Sequence, residues 1–136
     1  RSALSPVFVT ADELGDAWSG CKLHLPMRTW INGRWFGEAE AGVDMQFSFA
    51  DLIAHVAKSR PLTAGTLVGS GTIANEDTSK GASCLAEQRT VETLRDGKPA
   101  TPFLKFGDRV KIDITDQAGR SVFGAIEQVV KQYVPA

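Results

Sequence analysis

Apolar and polar residues alternate along residues 109–115, where the sequence RVKIDIT has valine or isoleucine at every second position. A two-residue period places alternate side chains on one face of an extended chain, so this stretch predicts a half-buried β-strand. Shorter runs of β-branched and aromatic residues predict further strands at 5–10, 67–68 and 121–130.

A β-hairpin is predicted where Asn32-Gly33 separates two short strand-like runs, residues 27–31 and 34–36. Asn-Gly is the favoured pair for a two-residue type I′ turn, because both residues tolerate positive φ angles. The two runs should therefore pair as antiparallel neighbours.

The apolar period lengthens to about 3.6 residues after Phe47, which is typical of an amphipathic α-helix. Ser48 is a suitable N-cap, and Asp51 follows at the position of a capping-box partner. Pro61 prevents the helix from continuing. We predict one main helix over about residues 48–60, packed on a sheet.

Together these elements predict a single β-rich α+β domain over residues 1–136, with about seven strands in a mixed β-sandwich or roll and one main helix. A chain of 136 residues is long enough to form a core of its own. Residue 1 is Arg rather than Met, so we expect the domain to be a piece of a longer protein.

Charge and composition exclude several classes of function. The 15 basic and 16 acidic residues nearly cancel and are spread along the chain, which argues against a nucleic-acid surface. No apolar run approaches the roughly 20 residues that span a bilayer. The two cysteines, Cys21 and Cys84, lack CxxC spacing and predict reduced thiols in a cytoplasmic protein.

A glycine-rich stretch from Leu67 to Glu87 is the candidate site. The glycines there let the backbone approach a ligand closely. Its sequence GSGTIA matches the letters of a dinucleotide-binding fingerprint, but no apolar helical stripe follows to provide the helix N-terminus that holds a pyrophosphate. The scattered His and Cys residues predict no zinc site. The pattern therefore indicates a binding loop without naming its reaction.

Glu87 follows the apolar triplet at 84–86, so we expect its carboxyl group to enter a partly desolvated place. Burial raises the pKa of a carboxyl group and prepares it for general acid or base catalysis. In the alternative hypothesis, Gln88 and Arg89 pair with Glu87 on the surface. The sequence alone leaves both hypotheses open.

Several segments resemble, in order, the C-terminal half of the fumarylacetoacetate hydrolase family: SPVFVTADEL, INGRWFG, MQFSFADLIAH, LTAGTLVGSGTIAN, GASCLAE, FLKFGDRVKIDI and GRSVFGAIEQVV. The resemblance covers nearly the whole chain, and GTLVGSGT followed by FGDRVKI is its most specific part. It implies a β-sandwich-like roll, usually a homodimer, and hydrolytic cleavage of a carbon–carbon bond in a β-diketone or 2-keto acid, such as fumarylacetoacetate or an acylpyruvate. Relatives that decarboxylate or dehydrate 2-keto acids belong to the same family.

The resemblance also implies a divalent cation, Mg²⁺ or else Ca²⁺ or Mn²⁺, that holds the diketone oxygens. Thr72, which follows Gly71 in the GSGT turn, matches the family's threonine that contacts a substrate carboxylate or carbonyl. Glu87 falls near the glutamate that orients the water-activating histidine. By this resemblance Gly71 and Thr72 bind substrate and Glu87 is catalytic.

The family's metal carboxylates, a Glu-x-Glu pair and a following Asp, and its catalytic lysine precede the SPVFVTADEL segment. The resemblance thus predicts that residues 1–136 form the substrate-side wall of the site, with metal ligands outside them, and that this chain alone is inactive. The other class that remains open is a non-catalytic β-rich module that binds a small ligand or a partner chain.

Overall fold

The computed structural model describes residues 2–135, so Arg1 and the expectation attached to it lie outside the described residues. Six strands and two α-helices follow one another in this range. They are β1 (Trp18–Ser19), β2 (Lys22–Leu23), β3 (Pro26–Ile31), β4 (Arg34–Glu40), α1 (Phe49–Ala57), α2 (Leu85–Asp96), β5 (Arg109–Ile114) and β6 (Ile126–Val129).

Four strands form the main sheet in the order β4-β3-β5-β6, and β1 pairs with β2 in a small hairpin. This confirms the predicted β-rich α+β class. All the strand pairs are antiparallel. The described strands number six rather than about seven. Neither α-helix in this range is long and apolar enough to cross a membrane.

The predicted turn at Asn32-Gly33 joins β3 to β4. Both residues have positive φ angles, 53° and 74°, as a type I′ turn requires. The Asn32 side chain also holds the start of β5, because its Nδ2 donates to Asp108 Oδ1 and its Oδ1 accepts from the Arg109 N–H, each at 2.9 Å. The turn therefore fixes the ends of three strands.

Arg28 on β3 links the two strands that flank it. Its Nε donates to Glu38 of β4 at 2.9 Å, and its Nη1 donates to the hydroxyl of Thr115, directly after β5. Thr115 is buried, and Arg28 and Glu38 are about one-third exposed. These bonds tie the centre of the sheet together on its polar face.

Helix α1 begins where the sequence predicts. The Asp51 N–H donates to the Ser48 hydroxyl at 3.3 Å, and the Ser48 N–H donates to Asp51 Oδ2 at 2.9 Å, which completes the capping box. Phe49 stacks on Trp18 of the small hairpin, with ring centroids 5.9 Å apart. No residue of the helix is buried, and this stacking contact is with the small hairpin rather than with the main sheet.

Helix α2 is not predicted by the apolar pattern, because its sequence lacks a continuous apolar stripe. Its one buried residue is Glu92, which is 5% exposed. Signals at its C-terminal end do mark a helix: Arg95 lies in the last turn, and Gly97 ends it with a left-handed φ of 78°. The fold therefore contains a second main helix in addition to the predicted one.

The predicted strands at 5–10 and 67–68 are wrong, because both segments have irregular structure. The Val7 N–H donates to the Phe123 carbonyl at 3.0 Å, but this bond does not continue into a strand ladder. Of the strand predicted at 121–130, only Ile126–Val129 forms β6. Short β-branched runs become strands only where a neighbour pairs with them.

The segment before α2 lies directly on β4, where Gly37 and Gly81 form an isolated antiparallel bridge. A Cβ atom added to Gly37 would lie 2.2 Å from the carbonyl oxygen of Ala82, so only glycine fits there. Ala82 and Ala39 of β4 are both buried. This contact fixes the start of α2 relative to the main sheet.

Gly37→Ala is expected to lower the thermal unfolding midpoint by several degrees, because the added methyl group must displace the backbone around Ala82. Overpacking of this kind costs about 1–3 kcal/mol. Gly69→Ala is the matched control, since no atom lies within 4 Å of its added methyl group. Equal midpoints for the two variants in thermal denaturation would show that the contact between β4 and Ala82 does not stabilise the fold.

Candidate functional site

Within the candidate stretch, the loop before α2 covers residues 65–80, and we use the name binding loop for this range from here on. It contains no strand and no helix except a short 3₁₀ turn at Thr78–Lys80. Gly71 has a φ of 85°, in the left-handed region that residues with a Cβ atom rarely adopt. Thr72 follows this turn and is exposed. The left-handed turn at Gly71 therefore sets the direction of the backbone at Thr72.

Asn75 fastens the binding loop to the end of β4. Its Oδ1 accepts a hydrogen bond from the Glu40 N–H at 2.7 Å. Its Nδ2 donates to the carbonyls of Glu40 and Val43, both at 3.1 Å. Because the amide uses its donors and its acceptor together, it holds Thr72 against the connection between β4 and α1.

Asp44 makes a second attachment between this connection and the binding loop. Its backbone has a φ of 60°, which Asp and Asn tolerate better than most residues. Its Oδ2 accepts a hydrogen bond from the Glu76 N–H at 3.0 Å. Adjacent residues of the loop, Asn75 and Glu76, are thus both tied to the connection.

A groove of about 360 Å³ lies between the binding loop and the connection. This volume is at the lower end of the range for small-ligand sites. Its polar lining residues are Asp44, Gln46, Ser70 and Thr72, and its apolar ones are Ala41, Val43, Met45, Phe47, Leu52, Ile73 and Ala74. We call this space the Thr72 groove.

Two much larger clefts lie elsewhere among the described residues. One, of about 640 Å³, lies between the β3–β4 turn and residues 101–108. The other, of about 900 Å³, lies between residues 9–17 and 116–122. Neither is lined by Gly71, Thr72 or Glu87. The Thr72 groove is therefore the better candidate, because it contains a residue that the sequence predicts to bind substrate.

Glu87 lies in the first turn of α2. Burial raises the pKa of its carboxyl group above the usual value, while a hydrogen bond with the Ser83 backbone acts in the opposite direction. Its Oε2 atom is buried and has no hydrogen-bond partner among the described residues. A carboxyl group in such a place is typical of functional positions, because the surroundings leave it unsatisfied.

The hypothesis that Gln88 and Arg89 pair with Glu87 is wrong. Gln88 Nε2 donates to Glu92 Oε1 at 2.9 Å, and Arg89 Nη1 donates to the Thr101 carbonyl. Both side chains contact other partners, so neither pairs with Glu87 on the surface. The buried Oε2 atom of Glu87 confirms that its carboxyl group is partly desolvated.

Glu92, on the same helix, has a carboxyl group that is fully hydrogen-bonded, in contrast to that of Glu87. It accepts hydrogen bonds from the Thr101 hydroxyl, from the Thr101 N–H at 2.8 Å and from the Ala100 N–H at 2.6 Å. These bonds, that of the Thr101 hydroxyl above all, lower the pKa of Glu92 to about 2. Glu92 is therefore a structural carboxylate that holds the loop after α2.

One hydrogen bond joins the binding loop to the start of α2, because the Ser83 hydroxyl donates to the Ile73 carbonyl at 2.5 Å. Ile73 follows Thr72 directly, and Ser83 lies just before the helix that carries Glu87. Glu87 is not among the residues that line the Thr72 groove. The structure thus connects Thr72 with the helix of Glu87 without placing both side chains in that groove.

Comparison with known protein families identifies the family of this chain. The family described as fumarylacetoacetate (FAA) hydrolase C-terminal matches residues 2–131. The chain belongs to the fumarylacetoacetate hydrolase family. This confirms the resemblance found in the sequence, and it supports a role of the hydrolase and isomerase type. A search of curated proteins found no significant match.

Fumarylacetoacetate hydrolase family members are generally metal-dependent. In residues 2–135, no three or more His, Cys, Asp or Glu side chains lie together in a way that could hold a metal ion. The one carboxylate that lines the Thr72 groove, Asp44, already accepts a hydrogen bond from Glu76. A divalent cation such as Mg²⁺ or Ca²⁺ needs several oxygen ligands, so the described residues do not fit one.

Sequence reasoning indicated only part of the candidate site. Thr72 lines the groove, and Gly71 makes the turn before it. The residues that hold the groove together, Asn75, Asp44 and Ser83, are not singled out by any motif of known chemistry. The sequence does give one signal that could have identified Asn75 as part of the site. Asn75 is the last residue of the family-like segment LTAGTLVGSGTIAN.

Proposed function

We propose that this chain supplies the substrate-side wall of a metal-dependent hydrolase that cleaves a carbon–carbon bond in a β-diketone or acylpyruvate. Family membership supports a hydrolase-type role. The observation that carries the proposal is the Thr72 groove, where a hydroxyl group lies beside an apolar wall. An acylpyruvate has two matching parts, a set of oxygen atoms and an acyl carbon chain.

In the proposed reaction, water adds to the carbonyl carbon of the acyl group, and the bond from that carbon to the neighbouring CH₂ breaks. The bonding electron pair leaves as the enolate of pyruvate, which then takes a proton, so the products are a carboxylic acid and pyruvate. Thr72 donates a hydrogen bond to a substrate oxygen and fixes its orientation. Glu87 orients the group that removes the proton from water.

The proposal places the divalent cation on residues outside this chain, because the described residues do not fit it. Residues 1–136 alone are therefore proposed to be inactive. We also propose a homodimer, since large apolar side chains such as Phe8 and Phe106 are exposed and suit burial in an assembly. Free thiols at Cys21 and Cys84 fit a cytoplasmic protein.

Thr72→Val in the complete protein is expected to raise the KM for an acylpyruvate by about 5- to 30-fold. Valine keeps the shape of the side chain but removes one hydrogen bond, worth about 1–2 kcal/mol. Thr72→Ser is the matched control, because it keeps the hydroxyl group, and its KM should stay close to that of the wild type. If steady-state kinetics give an unchanged KM for Thr72→Val, Thr72 is merely structural and its proposed role is wrong.

A further inference from the structure

The cleft of about 640 Å³ between the β3–β4 turn and residues 101–108 is not used by the proposed function. Its volume lies within the usual range of small-molecule sites, about 300–1,000 Å³. Aromatic side chains line it from two elements, with Trp35 and Phe36 on β4 and Phe103 in the loop after α2. We call this space the Trp35 cleft.

The aromatic lining of the Trp35 cleft is exposed but held in place. Trp35 is 54% exposed and Phe103 is 59% exposed, so flat apolar surface remains open to solvent there. The guanidinium carbon of Arg89 lies 4.3 Å from the centre of the Phe103 ring, and Arg89 does not line the cleft. The cation therefore holds this ring from outside the cleft, which leaves ring surface inside the cleft free for stacking.

Hydrogen bonds hold both walls of the cleft in place. Glu92 fixes the loop that carries Phe103, because it accepts hydrogen bonds from two N–H groups of that loop. On the other side, Asn32 Nδ2 donates to Asp108 Oδ1 at 2.9 Å, and the Lys105 N–H donates to Asp108 Oδ2 at 2.7 Å. Binding to a cleft whose walls are held in this way costs little conformational entropy.

The charged lining groups favour an anionic ligand. Arg34 and Lys105 line the cleft, and within residues 2–135 neither side chain forms an ion pair. The acidic lining residue, Asp108, already accepts two hydrogen bonds, and the one from the Lys105 N–H contributes most to lowering its pKa. A ligand carboxylate would therefore meet two cations and an acid whose oxygens already have partners.

We propose that the Trp35 cleft binds a small aromatic carboxylate. The ring of the ligand stacks on Trp35 and Phe103, and its carboxylate binds the Arg34 guanidinium, with Lys105 as a second positive charge. A saturated acid lacks the flat ring and an aromatic alcohol lacks the charge, so both bind more weakly. This site is independent of the proposed reaction, because the Trp35 cleft and the Thr72 groove share no lining residue.

Calorimetric titration of the complete protein with 2-naphthoate tests the class of ligand. Decahydro-2-naphthoate keeps the charge without the aromatic ring, and 2-naphthalenemethanol keeps the ring without the charge. Each should bind at least about threefold more weakly than 2-naphthoate. The affinity for 2-naphthoate should also fall as NaCl is raised from about 0.05 to about 0.5 M. Equal affinities for the acid and the alcohol, or no binding of 2-naphthoate up to about 1 mM, would overturn the inference.

Two variants test the residues of the cleft. Arg34→Gln should raise the Kd for 2-naphthoate about tenfold and leave the Kd for the alcohol unchanged, because it removes only the charge. Phe103→Leu keeps an apolar side chain without a ring and should raise the Kd for 2-naphthoate about 2- to 10-fold. The matched controls, Arg60→Gln and Phe8→Leu, change exposed residues that do not line the cleft and should bind like the wild type.

The same titrations separate this site from that of the proposed reaction. Thr72→Val should bind 2-naphthoate like the wild type, whereas Arg34→Gln should keep the wild-type KM for an acylpyruvate. If Thr72→Val weakens the binding of 2-naphthoate and Arg34→Gln does not, the ligand occupies the Thr72 groove and the inference is wrong. A complete protein that hydrolyses no acylpyruvate but binds 2-naphthoate through Arg34 would refute the proposed function and still support the Trp35 cleft.

Discussion

Glu87→Gln is expected to lower the kcat of the complete enzyme by about 10²- to 10⁴-fold, the usual contribution of the acid–base group that Glu87 is proposed to orient. Glutamine keeps the size of the side chain but cannot carry the negative charge that holds this group in place. Burial raises the pKa of Glu87 above 4.5, so the acidic limb of the wild-type pH–rate profile should lie above the usual range of a glutamate. That limb should disappear in the variant.

The same substitution is expected to preserve folding stability. A carboxyl group with a raised pKa in the folded state contributes stability below its unfolded pKa of about 4.5, and this contribution is lost as the pH rises through the folded pKa. At neutral pH the partly buried Glu87 carboxylate therefore destabilises the fold, and glutamine removes this effect. The unfolding midpoint of Glu87→Gln at pH 7 should stay the same or rise.

Glu92→Gln is the matched contrast on the same helix. The pKa of Glu92 is lowered to about 2, so its contribution to stability is present above about pH 4.5 and is lost as the pH falls towards 2. This variant should unfold at a lower temperature at pH 7. Wild-type kcat in Glu87→Gln, or a loss of stability as large as that of Glu92→Gln, would contradict the role assigned to Glu87.

Asn75→Asp is expected to lower kcat/KM by about 10- to 100-fold, mainly through KM, because the binding loop shifts and misplaces Thr72. Aspartate can still accept from the Glu40 N–H, but it cannot donate to the carbonyls of Glu40 and Val43. It also places a negative charge beside those carbonyls. Gln132→Glu, the same chemical change at an exposed position, is the control and should keep wild-type kinetics.

The double variant Thr72→Val/Asn75→Asp shows how Asn75 acts. If Asn75 positions Thr72, the double variant should lose less binding free energy than the sum of the two single variants. A purely structural role of Asn75 would lower the unfolding midpoint and give additive effects on KM. Additivity, measured by steady-state kinetics on the four proteins of the cycle, is therefore the result that contradicts a positioning role.

Local turn and cap chemistry could be predicted from the sequence, because it depends on residues that are close in the chain. The type I′ pair Asn32-Gly33 and the N-cap Ser48 are where the pattern predicts them. Helix α2 could not be predicted in this way, because its buried residue, Glu92, is satisfied by Thr101 in the following loop. The strand predicted at residues 67–68 does not form, because the composition of a segment does not show whether another strand will pair with it.

The candidate site could be predicted as a set of residues but not as an arrangement. The GSGT turn indicates Gly71 and Thr72, and the apolar triplet before Glu87 indicates its burial. The attachments of Asn75 to Glu40 and Val43 join residues 35 and 32 positions apart, and no local pattern records them. The groove beside Thr72 is a consequence of those attachments.

The proposal that this chain forms one wall of a metal-dependent acylpyruvate hydrolase is tested by measuring the release of pyruvate with and without a divalent cation. The complete protein is expected to release pyruvate when Mg²⁺, Mn²⁺ or Ca²⁺ is present and to stop when a chelator is added. The isolated 136-residue chain is expected to show no turnover. The proposal would be contradicted by Mg²⁺-dependent turnover by the isolated chain. It would also be contradicted if the complete protein turned over no acylpyruvate, and that result would favour a non-catalytic binding module.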